Sequence, residues 1–203
     1  MELFENLKGY EIVLMSQSPR RRELLKELGL SFMPARSDAE ENYPESLEGK
    51  EIPMYLSQIK AQAFKPQMKS NSLVIAADTI VYCDKQVLGK PATSDEAIAM
   101  LENLSGRKHE VITGITILTQ QEQKTFSASS IVEFAKLTDE EISYYVQRYQ
   151  PLDKAGAYGI QEWIGMIGVK CIEGSYYNVM GLPVHRLYQE LKSIKPYREG
   201  ANI

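Results

Sequence analysis

The chain has 203 residues, 43% hydrophobic and 25% charged, a balance that suits a folded core and excludes a disordered or fibrous protein. A net charge of −4 argues against a sequence-independent grip on a nucleic acid polymer, and no run reaches the roughly 20 apolar residues that span a membrane. Cys83 and Cys171 stand far apart, outside any CxxC or Cys/His metal spacing, so a reducing, cytoplasmic setting is expected.

Along the chain, Tyr10–Met15 reads as a short buried strand. Ser18 then serves as an N-cap, with Pro19 at the first helical position and Leu24, Leu25 and Leu28 on one face of a helix that stops near Gly29. A second helix is expected over Met54–Phe64, with Leu56, Ile59 and Ala63 inward. Leu73–Tyr82 is a dense β-type run. Thr93 and Glu96 form a capping-box pattern for a helix that buries Ala97, Met100, Leu101 and Leu104 and ends at Gly106. Strands are expected at Val111–Thr119 and Ser129–Phe134, and Thr138 with Glu141 opens a further capped helix through about Gln147. A glycine-rich stretch follows, then a strand near Met166–Ile172 and a last helix from Pro183 through Leu191. Alternating strands and helices predict an α/β fold with a central mixed sheet, organised as one domain over 1–203 with flexible ends at 1–9 and 198–203.

Several residues stand out against this background. Arg20, Arg21 and Arg22 occupy the first turn of a helix, where the backbone dipole favours anions, so they oppose it unless an anion binds there. With the hydroxyls of Ser16 and Ser18 they make a candidate phosphate cradle; the alternative is a solvated basic face paired with Glu23 or Glu27. There is no GxxxxGK[ST] loop. Asp78 interrupts an apolar strand, where a lone carboxylate is expensive unless paired, protonated or metal-bound, or else capping backbone amides. Glu40 and Glu41 lie in an acidic stretch that is either solvated or, beside Asp78, part of a Mg²⁺ site. Lys60 falls near the inward stripe of its helix, Lys90 is held between Gly89 and Pro91, and Lys154 follows Asp153. Within Asp153–Gln161 the small residues permit close backbone approach, Tyr158 can line a ring, and Gln161 can read a base edge. His109 and His185 carry no assigned role.

Taken in order, SQSPRRRELL (16–25), EE (40–41), IKAQA (59–63), AADTIV (76–81), LGKP (88–91), LSGRKHEVITG (104–114), DKAGAYGIQ (153–161) and GSYYNVMGLP (174–183) resemble the Maf family of nucleotide pyrophosphatases. The resemblance implies a two-lobed, ITPase-like α/β fold with a deep cleft, a homodimer, and hydrolysis of a nucleoside triphosphate between its α- and β-phosphates with Mg²⁺ or Mn²⁺. Carried over, Asp78 resembles the carboxylate that activates water, and Glu41 a metal or catalytic carboxylate. Ser18, Arg20, Arg21, Lys60 and Lys90 resemble phosphate and transition-state contacts, and Thr79 and Gln161 markers of substrate choice. Pro19-Arg20-Arg21, Asp78-Thr79 and Gln161 are similar to the dTTP/UTP branch rather than the branch preferring 7-methyl-GTP. Met15, where the family often has Ala, and Glu162-Trp163, where small residues are common, depart from the pattern; Trp163 either narrows the pocket or packs outside it. The family is also linked with inhibition of septum formation, so a non-catalytic nucleotide-binding regulator is the alternative to a hydrolase.

Overall fold

A mixed sheet forms because three long β-rich runs pair side by side and a shorter parallel unit joins one end. The computed structural model describes residues 3–198. Its strands are β1 (Glu11–Met15), β2 (Met33–Ala35), β3 (Ser72–Cys83), β4 (Gln86–Leu88), β5 (Lys108–Leu118), β6 (Gln123–Phe134) and β7 (Val169–Glu173). They lie in the order β2-β1-β3-β5-β6-β7, with β4 paired to β3 off that path. β1 runs parallel to β2 and β3, and the other pairs are antiparallel. The helices are α1 (Pro19–Glu27), α2 (Glu51–Gln62), α3 (Ser94–Leu104), α4 (Asp139–Tyr149), α5 (Trp163–Gly168), α6 (Tyr176–Val179) and α7 (Val184–Lys192). None is long and apolar enough to cross a membrane among the described residues.

Alternation along β3 sorts its side chains onto two faces. Val74 and Ala76 meet Ala61 of α2, and Ile80 meets Ile52 and Leu56 of α2, so α2 covers one face. On the other face, Leu73, Ile75 and Ala77 pack with α1 and α7 through Leu24, Leu25, Leu187 and Leu191. Farther along that face, Val81 and Cys83 pack with α3 and α4 through Leu101, Leu104, Ile142 and Tyr145. Two lobes thus share three long strands.

Between the lobes the sheet has a gap. β1 pairs with β3 as far as Met15 opposite Ala76, and β4 begins only at Val81. Residues 77–80 therefore have no strand partner on this edge among the described residues, while their other edge pairs with β5. The chain leaves the carboxyl end of β1 beside this gap, and a crevice forms there, as at the strand ends of other open α/β sheets.

Local sequence explains most of the expected elements. Ser18 caps α1 by accepting from the Arg21 amide, and Thr138 and Glu141 make a complete capping box on α4. At α3, Thr93 accepts from the Glu96 amide, but the Glu96 carboxylate accepts from Ala92 rather than Thr93, so the box is only half formed. α2 starts at Glu51, earlier than expected, because Pro53 is tolerated in a first turn; it buries Ile52, Leu56, Lys60 and Ala61 and leaves Ala63 exposed. Residues 166–168, expected as strand, belong instead to α5. Of the ends expected to be flexible, 1–2 and 199–203 lie outside the described residues. Nearer the core, Leu7 is buried and the Asn6 side chain donates to the carbonyls of Leu191 and Ile194.

Candidate active site

The gap in the sheet is the floor of a cleft of about 490 Å³. Of the residues singled out from the sequence, Ser16, Ser18, Arg20, Arg21, Glu41, Lys60, Asp78, Thr79, Lys90, Lys154, Tyr158 and Gln161 line it, and Arg22 and Glu40 do not. Six basic and three acidic side chains line it, a local positive excess in a chain whose net charge is −4.

The segment leaving β1 builds one wall. Ser16 is buried and its hydroxyl accepts from the Ser18 amide at 3.2 Å. The first turn of α1 contains no acidic residue. Arg20 meets Asp153 across the cleft at 3.0 Å. Arg21 donates to the carbonyls of Ala77 (2.7 Å) and Gly181 (2.8 Å) and to the Thr79 hydroxyl (2.9 Å). It therefore ties α1 to the unpaired edge of β3 and to the loop before α7. Burial pulls its pKa below the ordinary arginine value, partly opposed by Asp78. Arg22 turns back to the Ser16 carbonyl and does not line the cleft. None of the three pairs with Glu23 or Glu27 among the described residues.

At the centre, the Lys60 ammonium contacts Asp78 Oδ1 and also lies 3.0 Å from Glu41 Oε1. Lys60 and Asp78 are buried, which explains how an apolar strand carries a carboxylate: it points at a charge partner beside the gap. Glu41 reaches the same lysine from an exposed loop, while Glu40 faces away and accepts from Asn42. Partial burial pushes the Glu41 carboxyl up, but Lys60, Lys90 and Arg21 outweigh it and hold it below its ordinary value. No cluster of three metal-ligating side chains exists among the described residues, so the protein alone offers no closed cage. Two carboxylates converging on one point do fit a hard cation that completes its shell with water and substrate phosphates, as Mg²⁺ does.

The opposite wall comes from residues 153–161. Asp153, missed as a site residue, lies between Arg20 and Lys154. Partial burial raises its carboxyl, but those two cations prevail and hold it below its ordinary value. Arg36, also missed, lines the mouth and pairs loosely with Asp38 at 3.5 Å. Only its position after β2 could have signalled it. Lys90 extends from a connection fixed by the Gly156 amide donating to the Gly89 carbonyl at 3.0 Å. Gln161 is exposed on the cleft wall. Trp163 packs edge-on against Tyr144 at 4.9 Å and does not line the cleft.

Behind Tyr158, buried His109 places Nε2 2.8 Å from the phenol oxygen, and its ring packs edge-on to Phe134. Its Nδ1 is buried without a partner among the described residues. Burial pulls its pKa from 6.5 down to about 4. A depressed histidine favours the neutral folded form, so its contribution is complete above pH 6.5 and is lost as pH falls towards 4. That amounts to about 3 kcal/mol at the acid end. Urea unfolding of wild type should lose stability already between pH 6.5 and 5, where the carboxylates with lowered pKa, Glu41 and Asp153 among them, stay ionised. His109→Gln should flatten that segment; parallel curves for the two proteins would refute the assignment.

Comparison with known proteins gives concordant results. The family model described as Maf-like protein matches residues 11–194. A dTTP/UTP pyrophosphatase of Parabacteroides distasonis is 56% identical over 94% of this chain and 99% of its own. A protein of the same name from Porphyromonas gingivalis is 54% identical over 94% of this chain and 97% of its own, and one from Bacteroides thetaiotaomicron is 53% identical over 93% and 98%. Among solved structures, the Staphylococcus aureus Ham1 protein superposes with a TM-score of 0.51 at 19% identity, covering 90% of this chain and 98% of that one, a likeness of fold alone.

Proposed function

The chain belongs to the Maf family, and from that premise we propose that it hydrolyses dTTP and UTP to the nucleoside monophosphate and pyrophosphate. The observation that carries this reading is the Asp78–Lys60–Glu41 constellation at the centre of a cation-rich cleft, in a chain similar over nearly its whole length to dTTP/UTP pyrophosphatases. The enzyme acts in the cytoplasm as a homodimer, without a nucleic acid polymer as substrate.

Ser16, Ser18, Arg20 and Arg21 form the phosphate-binding wall; α1 aims its amide-rich end, Arg20 and Arg21 at the same place. Lys60 and Lys90 face them and offset the charge of the leaving pyrophosphate. Glu41 and Asp78 would hold Mg²⁺ or Mn²⁺ together with phosphate oxygens, and the cation supplies Lewis acidity and charge neutralisation when bound. Asp78 accepts the proton from the attacking water, whose oxygen bonds to the α-phosphorus as the bond to the β-phosphate oxygen breaks. Thr79 and Gln161 govern substrate choice. Thr79 does so from the floor, where Arg21 and Thr113 fix its hydroxyl; Gln161 does so from the wall, by its amide.

A panel of common, methylated and modified nucleoside triphosphates, incubated with protein and Mg²⁺ or Mn²⁺ and resolved by product, tests this reading. Pyrophosphate with dTMP or UMP is expected. Turnover mainly of 7-methyl-GTP would keep the chemistry and overturn the roles of Thr79 and Gln161. Tight binding without turnover of any triphosphate would favour a nucleotide-binding regulator.

A further inference from the structure

Glu162 directly follows the cleft-lining Gln161, and it is not left in solvent. Its carboxylate accepts from the Tyr145 hydroxyl on α4 and lies 3.2 Å from the buried Lys154 ammonium. The Tyr145 oxygen in turn accepts from the Gly159 amide at 3.0 Å, and the Glu162 amide donates to the Gly159 carbonyl at 2.9 Å. A methyl group on Gly159 would sit 2.8 Å from Glu162 Cδ, so the carboxylate lies directly over that turn. Lys154 also reaches Asp153 at 2.6 Å, and Asp153 reaches Arg20 on the opposite wall at 3.0 Å. A continuous polar chain therefore runs from Gly159, through Tyr145, Glu162, Lys154 and Asp153, to Arg20.

We infer that Glu162 is a positioning residue: with Tyr145 it fixes the Gly159–Gln161 turn and thereby sets the base selectivity of the cleft. This rests on the proposed pyrophosphatase activity and on Gln161 as the residue that reads the base. Tyr145 is fully buried and cannot touch substrate, and Glu162 does not line the cleft, so both act only through the turn they hold. The link through Asp153 makes the same turn sensitive to the state of Arg20.

Glu162→Gln keeps the shape and removes the charge that faces Lys154; Tyr145→Phe removes only the hydroxyl. In both, KM for dTTP and UTP should rise about tenfold, the weight of one positioning hydrogen bond. Their kcat should stay within about threefold of wild type, and preference for dTTP over dCTP should fall. Hydrogen exchange should quicken over residues 156–164 and stay unchanged in the central strands. Wild-type KM and preference in both variants would overturn the inference, as would losses in kcat alone that track a lower melting temperature. If wild type turned over no triphosphate, the functional reading would fail separately. Exchange would then decide the positioning claim: faster exchange confined to 156–164 supports it, and unchanged exchange overturns it.

Discussion

Asp78→Asn is expected to lower kcat by about 10²–10⁴-fold, the usual contribution of a positioned general base, while the protein stays folded. The substitution keeps the size of a side chain that sits 8% exposed in the floor of the cleft. It removes the negative charge and the proton acceptor together. Lys60 is not stranded by the change, because Glu41 stays 3.0 Å from its ammonium, and the new amide can turn its oxygen towards the lysine. Stability should therefore move by no more than about 1–2 kcal/mol, far less than removing a partner from a fully isolated buried pair. Steady-state kinetics beside a thermal melt separates the two effects. A folded variant with near-normal kcat would remove Asp78 from the chemistry.

Gly114→Ala should give the largest loss of stability. Gly114 lies opposite Asp78 in the β3–β5 register, on the face covered by α2. A Cβ there would come within 2.2 Å of the Pro53 carbonyl and 2.4 Å of the Met54 amide. These are backbone atoms, so no side-chain rotation relieves the clash, and α2 has to lift from the sheet. Overpacking of this kind costs about 3 kcal/mol, the upper end of its usual range, which corresponds to a fall of roughly 6–12 °C in melting temperature for a chain of this size. Lys60 rides on the same helix, so turnover should fall with stability. A melting temperature within about 2 °C of wild type would show that α2 docks with more slack than the structure has.

These two sites also mark what a sequence can and cannot display. Asp78 was conspicuous because a carboxylate inside VIAADTIV violates the chemistry of a buried strand, and such a violation needs a local cause. Lys60 was visible for the same reason on α2. Gly114 was not, because a glycine in a strand states only that something comes close, and the backbone of Pro53 became a candidate only once α2 was docked. The hairpin between β3 and β4 was silent because its turn is Asp84-Lys85, both at positive φ, where Asn-Gly or Asp-Gly would have announced it. β5 and β6 begin before their expected starts: Lys108–Glu110 and Gln123–Ala128 are largely polar and hide the strand pattern, although alternate positions of a strand with one wet face are polar. Met166–Gly168, expected as the start of a strand, instead completes the helical turn and a half over Trp163–Gly168, whose glycine at 165 lies against the Ile160 carbonyl. Asp153 was passed over because its meaning comes from Arg20, distant in sequence and supplied by the opposite lobe.

The gap in the edge of β3 has a consequence for self-association. An unpaired stretch in the middle of a long apolar strand is a template on which a strand of another chain could zip. Here the Ala77 carbonyl already accepts from Arg21, and an incoming strand would meet the buried Asp78–Lys60 ion pair beside it. The groups that equip the cleft therefore also guard it. Neutralising Arg21 and Asp78 together would leave a bare β-edge, and the protein would be more prone to aggregate than the loss of either group alone suggests.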